Sequence, residues 1–246
     1  MALKHLVRKD TIVLLLLLSA ISAPVLANSL QVRQIENSKF GLKAMMILVA
    51  PEDNRGFFAI DVSRRTDGDD ISKHWKPDYA FLVNGGYFEQ DFSPVGFVRI
   101  DGRTLHKRRS LRLSGFVAID RRGTLRLLTK KDNVSGYRTV IQSGPHLINP
   151  GGSIGIKSDT GQTARRTVIG VTRDQTIVLA VTEPISLSDL ARAMLAELPS
   201  LDRLLNLDGG PSTALKTGSI QVLNVSPVRN YIGKRSGNKT LDRKPR

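Results

Sequence analysis

The 246-residue chain contains no cysteine. That absence removes disulfides, thiolate zinc sites and a cysteine nucleophile, together with the lipidated cysteine that anchors bacterial lipoproteins. Aromatic residues are scarce: one Trp, four Tyr and eight Phe. None is interleaved with the basic runs at 107–109 and 130–131, so the base-stacking platforms of a nucleic-acid binder are missing and no specific nucleic acid is expected. Acids are in short supply too, with 22 Asp+Glu against 37 Lys+Arg and a net charge of +15. Such a balance points to an anionic partner. No G-x-S-x-G, P-loop or H-E-x-x-H pattern occurs, and no carboxylates have EF-hand spacing. No repeat of solenoid or propeller period is visible.

What is present reads as one ordinary globular domain. Forty percent of residues are apolar and 24% charged, which argues against wholesale disorder and against a multispanning membrane protein. The N-terminus is different. Lys4, His5, Arg8 and Lys9 precede five consecutive leucines, and Val25-Leu26-Ala27 supplies small residues at the outer positions. This is the order of a secretory signal peptide over residues 1–27, cleaved after Ala27. A retained anchor is the alternative, but the 17 residues at 11–27 are short for a span and are interrupted by Ser19, Ser22 and Pro24. The expected location is therefore periplasmic or secreted, with no transmembrane span after cleavage. At the other end, residues 234–246 carry six bases and one acid without apolar periodicity. They read as a disordered basic tail that contacts anionic envelope polymers.

Between these ends, over 28–233, short runs rich in Val, Ile and Phe recur, punctuated by Gly, Asp and Pro. Strands are expected at 44–50, 57–63, 80–84, 96–101, 115–120, 124–129, 167–172, 176–182 and 204–207. Asp120-Arg121-Arg122-Gly123 and Thr172-Arg173-Asp174-Gln175 read as hairpin turns. Leu187, Leu190, Ala191, Met194, Leu195 and Leu198 follow helical spacing, with Ser186 as the cap and Pro199 as the stop. A shorter helix is expected near 70–75. The fold class is a strand-rich α+β single domain with a mixed β-sheet and few helices.

Four glycine-punctuated segments stand apart: Asn84-Gly85-Gly86-Tyr87-Phe88, Ser143-Gly144-Pro145-His146-Leu147-Ile148, Arg166-Thr167-Val168-Ile169-Gly170, and Leu207-Asp208-Gly209-Gly210-Pro211-Ser212-Thr213. The last places a carboxylate where an apolar strand runs out. A strand terminus holds an acid rigidly, and glycines let a ligand approach. Arginine at the entry to a strand can present a planar fork to phosphate.

In order and spacing, and with the helix leading into Asp208, these segments resemble the phosphodiester glycosidase family, the family of the mammalian uncovering enzyme. Arg229-Asn230 resembles its closing segment. Two departures are evident: Pro211 stands where many members have a third glycine, and Arg229-Asn230 lacks the usual spacer. The resemblance implies an exported bacterial hydrolase that cuts the glycosidic bond of a sugar-1-phosphodiester, giving free sugar and a phosphomonoester. Its substrate would be a phosphorylated envelope or extracellular glycan. A phosphate monoester leaves as an anion without strong acid assistance, so one carboxylate can suffice.

The implied catalytic residues are Asp208 as general base or nucleophile, Asn84, and Arg166 on the phosphate. Gly85, Gly86, Thr167, Gly209, Gly210, Ser212, Thr213, Ser143, Gly144, Arg229 and Asn230 would bind substrate. Glu89 and His146 are further acid–base candidates, as is His106. No cofactor is expected, although Asp208 could join a divalent metal. The rival reading is a non-catalytic module that holds anionic envelope glycans.

Overall fold

The computed structural model describes residues 30–156 and 160–237. The expected signal segment and the last nine residues of the expected tail lie outside the described residues. The chain runs through β1 (Leu30–Asn37), β2 (Leu42–Val49), β3 (Phe57–Asp61), α1 (Ile71–His74), β4 (Tyr79–Asn84), β5 (Val98–Ile100) and β6 (Arg103–His106). It continues with β7 (Gly115–Ile119), β8 (Leu125–Thr129), β9 (Thr139–Ser143), β10 (His146–Asn149), β11 (Ser153–Ile154), β12 (Thr167–Thr172) and β13 (Ile177–Thr182). After α2 (Leu187–Glu197) come β14 (Leu201–Asn206), β15 (Leu215–Thr217), β16 (Gln221–Val222) and β17 (Asn230–Arg235).

These strands form a seven-stranded sheet, β1-β2-β13-β12-β14-β10-β11, and two five-stranded sheets, β16-β15-β4-β17-β3 and β6-β5-β9-β7-β8. The strand-rich α+β class holds. The sheets are not mixed, however: every strand pairing among the described residues is antiparallel. Hairpins such as β7–β8 and β12–β13 return each strand beside its predecessor. A parallel pair needs a crossover connection, and the one long helix among the described residues, α2, leads from β13 to a strand that runs antiparallel to its neighbours β12 and β10.

The main core lies among the three sheets and takes alternate residues from each: Ile47, Phe81, Val117, Ile141, Ile169, Leu179, Leu205 and Ile232. The intervening residues of the large sheet, Val168, Val178, Ala180 and Leu204, face the other way and meet Leu190, Ala191 and Met194 of α2. A sheet buried on both faces requires continuous apolar strands, which is why β13 reads Ile-Val-Leu-Ala-Val-Thr without alternation. The N-terminal end of α2 is fixed by the Ser186 side chain, which accepts from the Asp189 backbone N–H. Ser186→Ala is expected to lower stability by about 1 kcal/mol, measured by denaturant unfolding; no loss would mean that packing alone holds the helix end.

The domain extends two residues past its expected end. Lys234 and Arg235 belong to β17 rather than to a disordered tail. Lys234 is buried because its ammonium pairs with Asp53 at 2.9 Å.

Candidate active site

All four glycine-punctuated segments meet at one end of the sheets. β4 ends at Asn84, β9 at Ser143 and β14 at Asn206, while β10, β12 and β17 begin at His146, Thr167 and Asn230. Register brings these termini level: Tyr231 faces Asn84, Leu205 faces His146 and Asn206 faces Val168.

Asn84 ties the end together. It is 0% exposed. Its Nδ2 donates to the Asp208 carbonyl at 2.7 Å, and its Oδ1 accepts from Thr167 Oγ1 at 2.7 Å and from the Ala214 N–H at 3.0 Å. One side chain thus joins a strand end, a strand start and both flanks of the Asp208 loop. The expected contact between Asn84 and a ligand gives way to positioning of Asp208.

The glycines need the same correction. A Cβ on Gly85 would lie 2.0 Å from Asn230 Oδ1, which also accepts the Gly86 N–H at 2.9 Å. Gly85 admits the protein's own Asn230, and Gly86 admits Ile141, whose Cγ2 would lie 2.7 Å from a Cβ there; neither opens space for a substrate. A Cβ on Gly209 would meet the Arg165 carbonyl at 2.8 Å; Gly210, with φ +60°, faces open space. Ser143 donates to the Asn206 carbonyl at 2.8 Å, Gly144 packs on the Ser114 amide, and Thr213 is fully buried. Thr167 and Ser143 therefore spend their hydroxyls on the scaffold, whereas Asn230 Nδ2 and Thr213 Oγ1 are buried without a hydrogen-bond partner among the described residues.

Other expected residues have partners of their own or lie exposed. Arg229 forms an ion pair with Asp61, donates to the Val62 carbonyl and lies over the Phe92 ring. Glu89 is exposed on a turn where its N–H meets the Ser93 carbonyl. His106 Nδ1 lies 2.8 Å from the Gly96 carbonyl. His146 is buried with Nδ1 3.0 Å from Ser114 Oγ. Burial, aided by the Arg203 charge, pushes its pKa down to about 4, so it stays neutral. Among the described residues, no group of three or more His, Cys, Asp or Glu side chains could hold a metal ion.

What remains in the mouth is Asp208, Arg166, Ser212 and a residue that the sequence reasoning passed over, Tyr87. Asp208 accepts the Gly209 N–H at 2.9 Å. Burial raises its pKa to about 6 against the lowering effects of the Ser212 side chain and the Gly209 amide. Tyr87 is pushed above the ordinary phenol range by burial and then by the Asp208 charge, while Arg166 acts the other way. Its oxygen accepts from Asn206 Nδ2, which leaves the phenolic proton to be given elsewhere. Tyr87 stands inside the first motif, three residues after Asn84, and that position was its signal. Arg166 is anchored by Nε to the Ile185 carbonyl at 3.1 Å and by a terminal nitrogen to the Gln162 carbonyl at 2.8 Å. Its guanidinium is thus held in place by backbone oxygens.

A sequence profile for phosphodiester glycosidases matches residues 78–239, about two thirds of the chain. No curated protein sequence matches. Among solved structures, the chain is similar to the catalytic domain of zebrafish N-acetylglucosamine-1-phosphodiester α-N-acetylglucosaminidase, auto-inhibited by its pro-peptide. The TM-score is 0.63 at 14% identity, covering 88% of this chain and 85% of that one. It is also similar to a Synechocystis protein (TM-score 0.59, 14% identity, 83% of this chain and 61% of that one). A Burkholderia pseudomallei protein named as exported gives 0.58 at 14% identity, over 80% and 74%. At such identity these structures share the fold, and the profile match supplies the rest: the chain belongs to the phosphodiester glycosidase family.

Proposed function

We propose that this chain hydrolyses the glycosidic bond of a sugar-1-phosphodiester at Asp208, releasing free sugar and a phosphomonoester. The observation that carries the reading is a single half-buried carboxylate, at a strand end, whose pKa is raised to about 6. In this reaction the bond between the anomeric carbon and the phosphate oxygen breaks, and water supplies the new hydroxyl and a proton. Asp208, ionised near neutrality, takes the water proton or attacks the anomeric carbon itself. The phosphate departs as an anion and needs cations and donors more than a strong acid. Arg166 supplies the charge and the protonated Tyr87 a hydrogen bond. Export through residues 1–27, a glycan substrate outside the cytoplasm and tail contacts with anionic polymers complete the reading. Among the described residues, no helix is long and apolar enough to cross a membrane.

The test is a panel of α-linked sugar-1-phosphodiesters assayed for both products. Because the base or nucleophile must be ionised, kcat/KM should rise about tenfold per pH unit below pH 6 and level off above it. An activity that falls as pH rises through 6 would assign Asp208 the role of acid. Absence of turnover across the panel would leave a binding module.

A further inference from the structure

We propose that the loop at residues 107–113 docks the protein on an anionic phospholipid bilayer, at the end of the fold that holds Asp208. Leu111 at its tip is 90% exposed, the most exposed large apolar side chain among the described residues. Around it stand Lys107, Arg108, Arg109 and Arg112, all exposed. Arg109 donates to the Lys130 carbonyl at 3.3 Å, which brings Lys130 and Lys131 alongside. No ion pair among the described residues involves any of these six cations. The nearby acid, Asp132, is turned to its own Thr129 N–H at 2.7 Å.

The loop is moored rather than loose. Buried Gln142 accepts the Ser110 N–H at 2.9 Å and donates to the carbonyls of Ser110 at 2.8 Å and Leu113 at 3.2 Å. Gln142 precedes Ser143, whose hydroxyl meets the Asn206 carbonyl, so the mooring ties the loop to the Asp208 end. Across that end a second apolar point projects. Val225 is 79% exposed, and its N–H is held by the Pro211 carbonyl at 2.7 Å. Beside it, Asn224 donates to the Asp69 carbonyl at 3.0 Å.

Six cations would attract any polyanion. A protruding leucine held in place by a buried side chain gains nothing from a soluble one. It does gain from the interfacial layer of a bilayer, where apolar tips enter while Lys and Arg meet lipid phosphates. This docking is independent of the hydrolysis reading, since it is read by binding alone.

The cysteine-free sequence permits a direct test. Leu111→Cys carries an environment-sensitive thiol dye, and a second chain carries it at Arg121→Cys, in the turn at the opposite end of β7. Vesicles of neutral phospholipid, with and without about a third anionic phospholipid, are titrated into each. The dye at position 111 should shift to the blue with anionic vesicles only, and the dye at 121 should not. Adding Lys107→Gln, Arg108→Gln and Arg112→Gln should weaken the 111 response at least about tenfold. No shift at 111, or equal shifts at both positions, overturns the proposal. An equal response to soluble polyphosphate assigns the loop to a free polyanion and overturns it as well.

Discussion

Asp208→Asn is expected to abolish sugar release and, at the same time, to make the folded chain more stable. Losing a base or nucleophile should reduce kcat by about a thousandfold or more, with substrate binding largely retained. The stability effect follows from the carboxyl's pKa, raised in the fold from 3.8 to about 6. A carboxyl that binds its proton more tightly folded than unfolded penalises folding once ionised. The penalty is absent below pH 3.8, grows between pH 3.8 and 6 and is constant above, at about 3 kcal/mol for a shift of that size. Asparagine, always neutral, avoids it. The gain should therefore appear as a Tm higher by roughly 5–10 °C at pH 8 that vanishes near pH 4. If the variant is less stable than the parent at pH 8, the burial argument for Asp208 is wrong. If it still releases sugar within tenfold of the parent rate, the chemistry lies elsewhere.

Asn84→Ala should do the opposite to stability. Its removal strands the Asp208 carbonyl, the Thr167 hydroxyl and the Ala214 N–H in a site with no solvent access. Each buried polar group left without a partner costs about 1–3 kcal/mol, so a total near 4 kcal/mol is expected. The loss should show as a Tm lowered by roughly 10 °C. Activity should fall as well, because the loop carrying Asp208 loses its tie to β4. A variant with parent-like Tm would show that the Asn84 side chain is replaceable in the scaffold.

Much of the fold was legible in the sequence, for physical reasons that differ by element. Helix α2 was readable because a sheet face needs one apolar stripe, and Leu190, Ala191 and Met194 supply it at helical spacing. The hairpins at 120–123 and 172–175 were readable from turn chemistry. The two-residue strands β11 and β16 were not: they exist through pairing with β10 and β15, which no local pattern records. Strand β1 was missed because its faces are half-exposed and its apolar residues Leu30, Val32 and Ile35 are few.

The site was legible as a location more than as a set of roles. Asp208 at a strand end was readable, and so were the four glycine-punctuated segments as a set apart from ordinary strand and turn. Motif residues were read as ligands, however, when Asn84, Gly85, Thr167 and Asn230 serve one another. A glycine kept free of a side chain looks the same in sequence whether the approaching group is a substrate or Asn230. Arg229 could not be assigned from sequence because its partner, Asp61, is distant along the chain and adjacent only through β3–β17 pairing.

That pairing also fixes the order of assembly. Strand β3 has β17 as its one neighbour in the sheet, and β17 is the last strand of the described chain. Asp61 and Asn230, which face each other, are 169 positions apart. Until a strand that far along the chain joins it, the β3 segment has no partner in its sheet. During that interval Phe57 and Ala59 have no sheet to enter, and Asn230 is not there to seat the Gly85–Gly86 turn beside Asp208. The turn beside Asp208 is therefore seated by the last strand of the described chain, and that end of the fold closes only when β17 is in place.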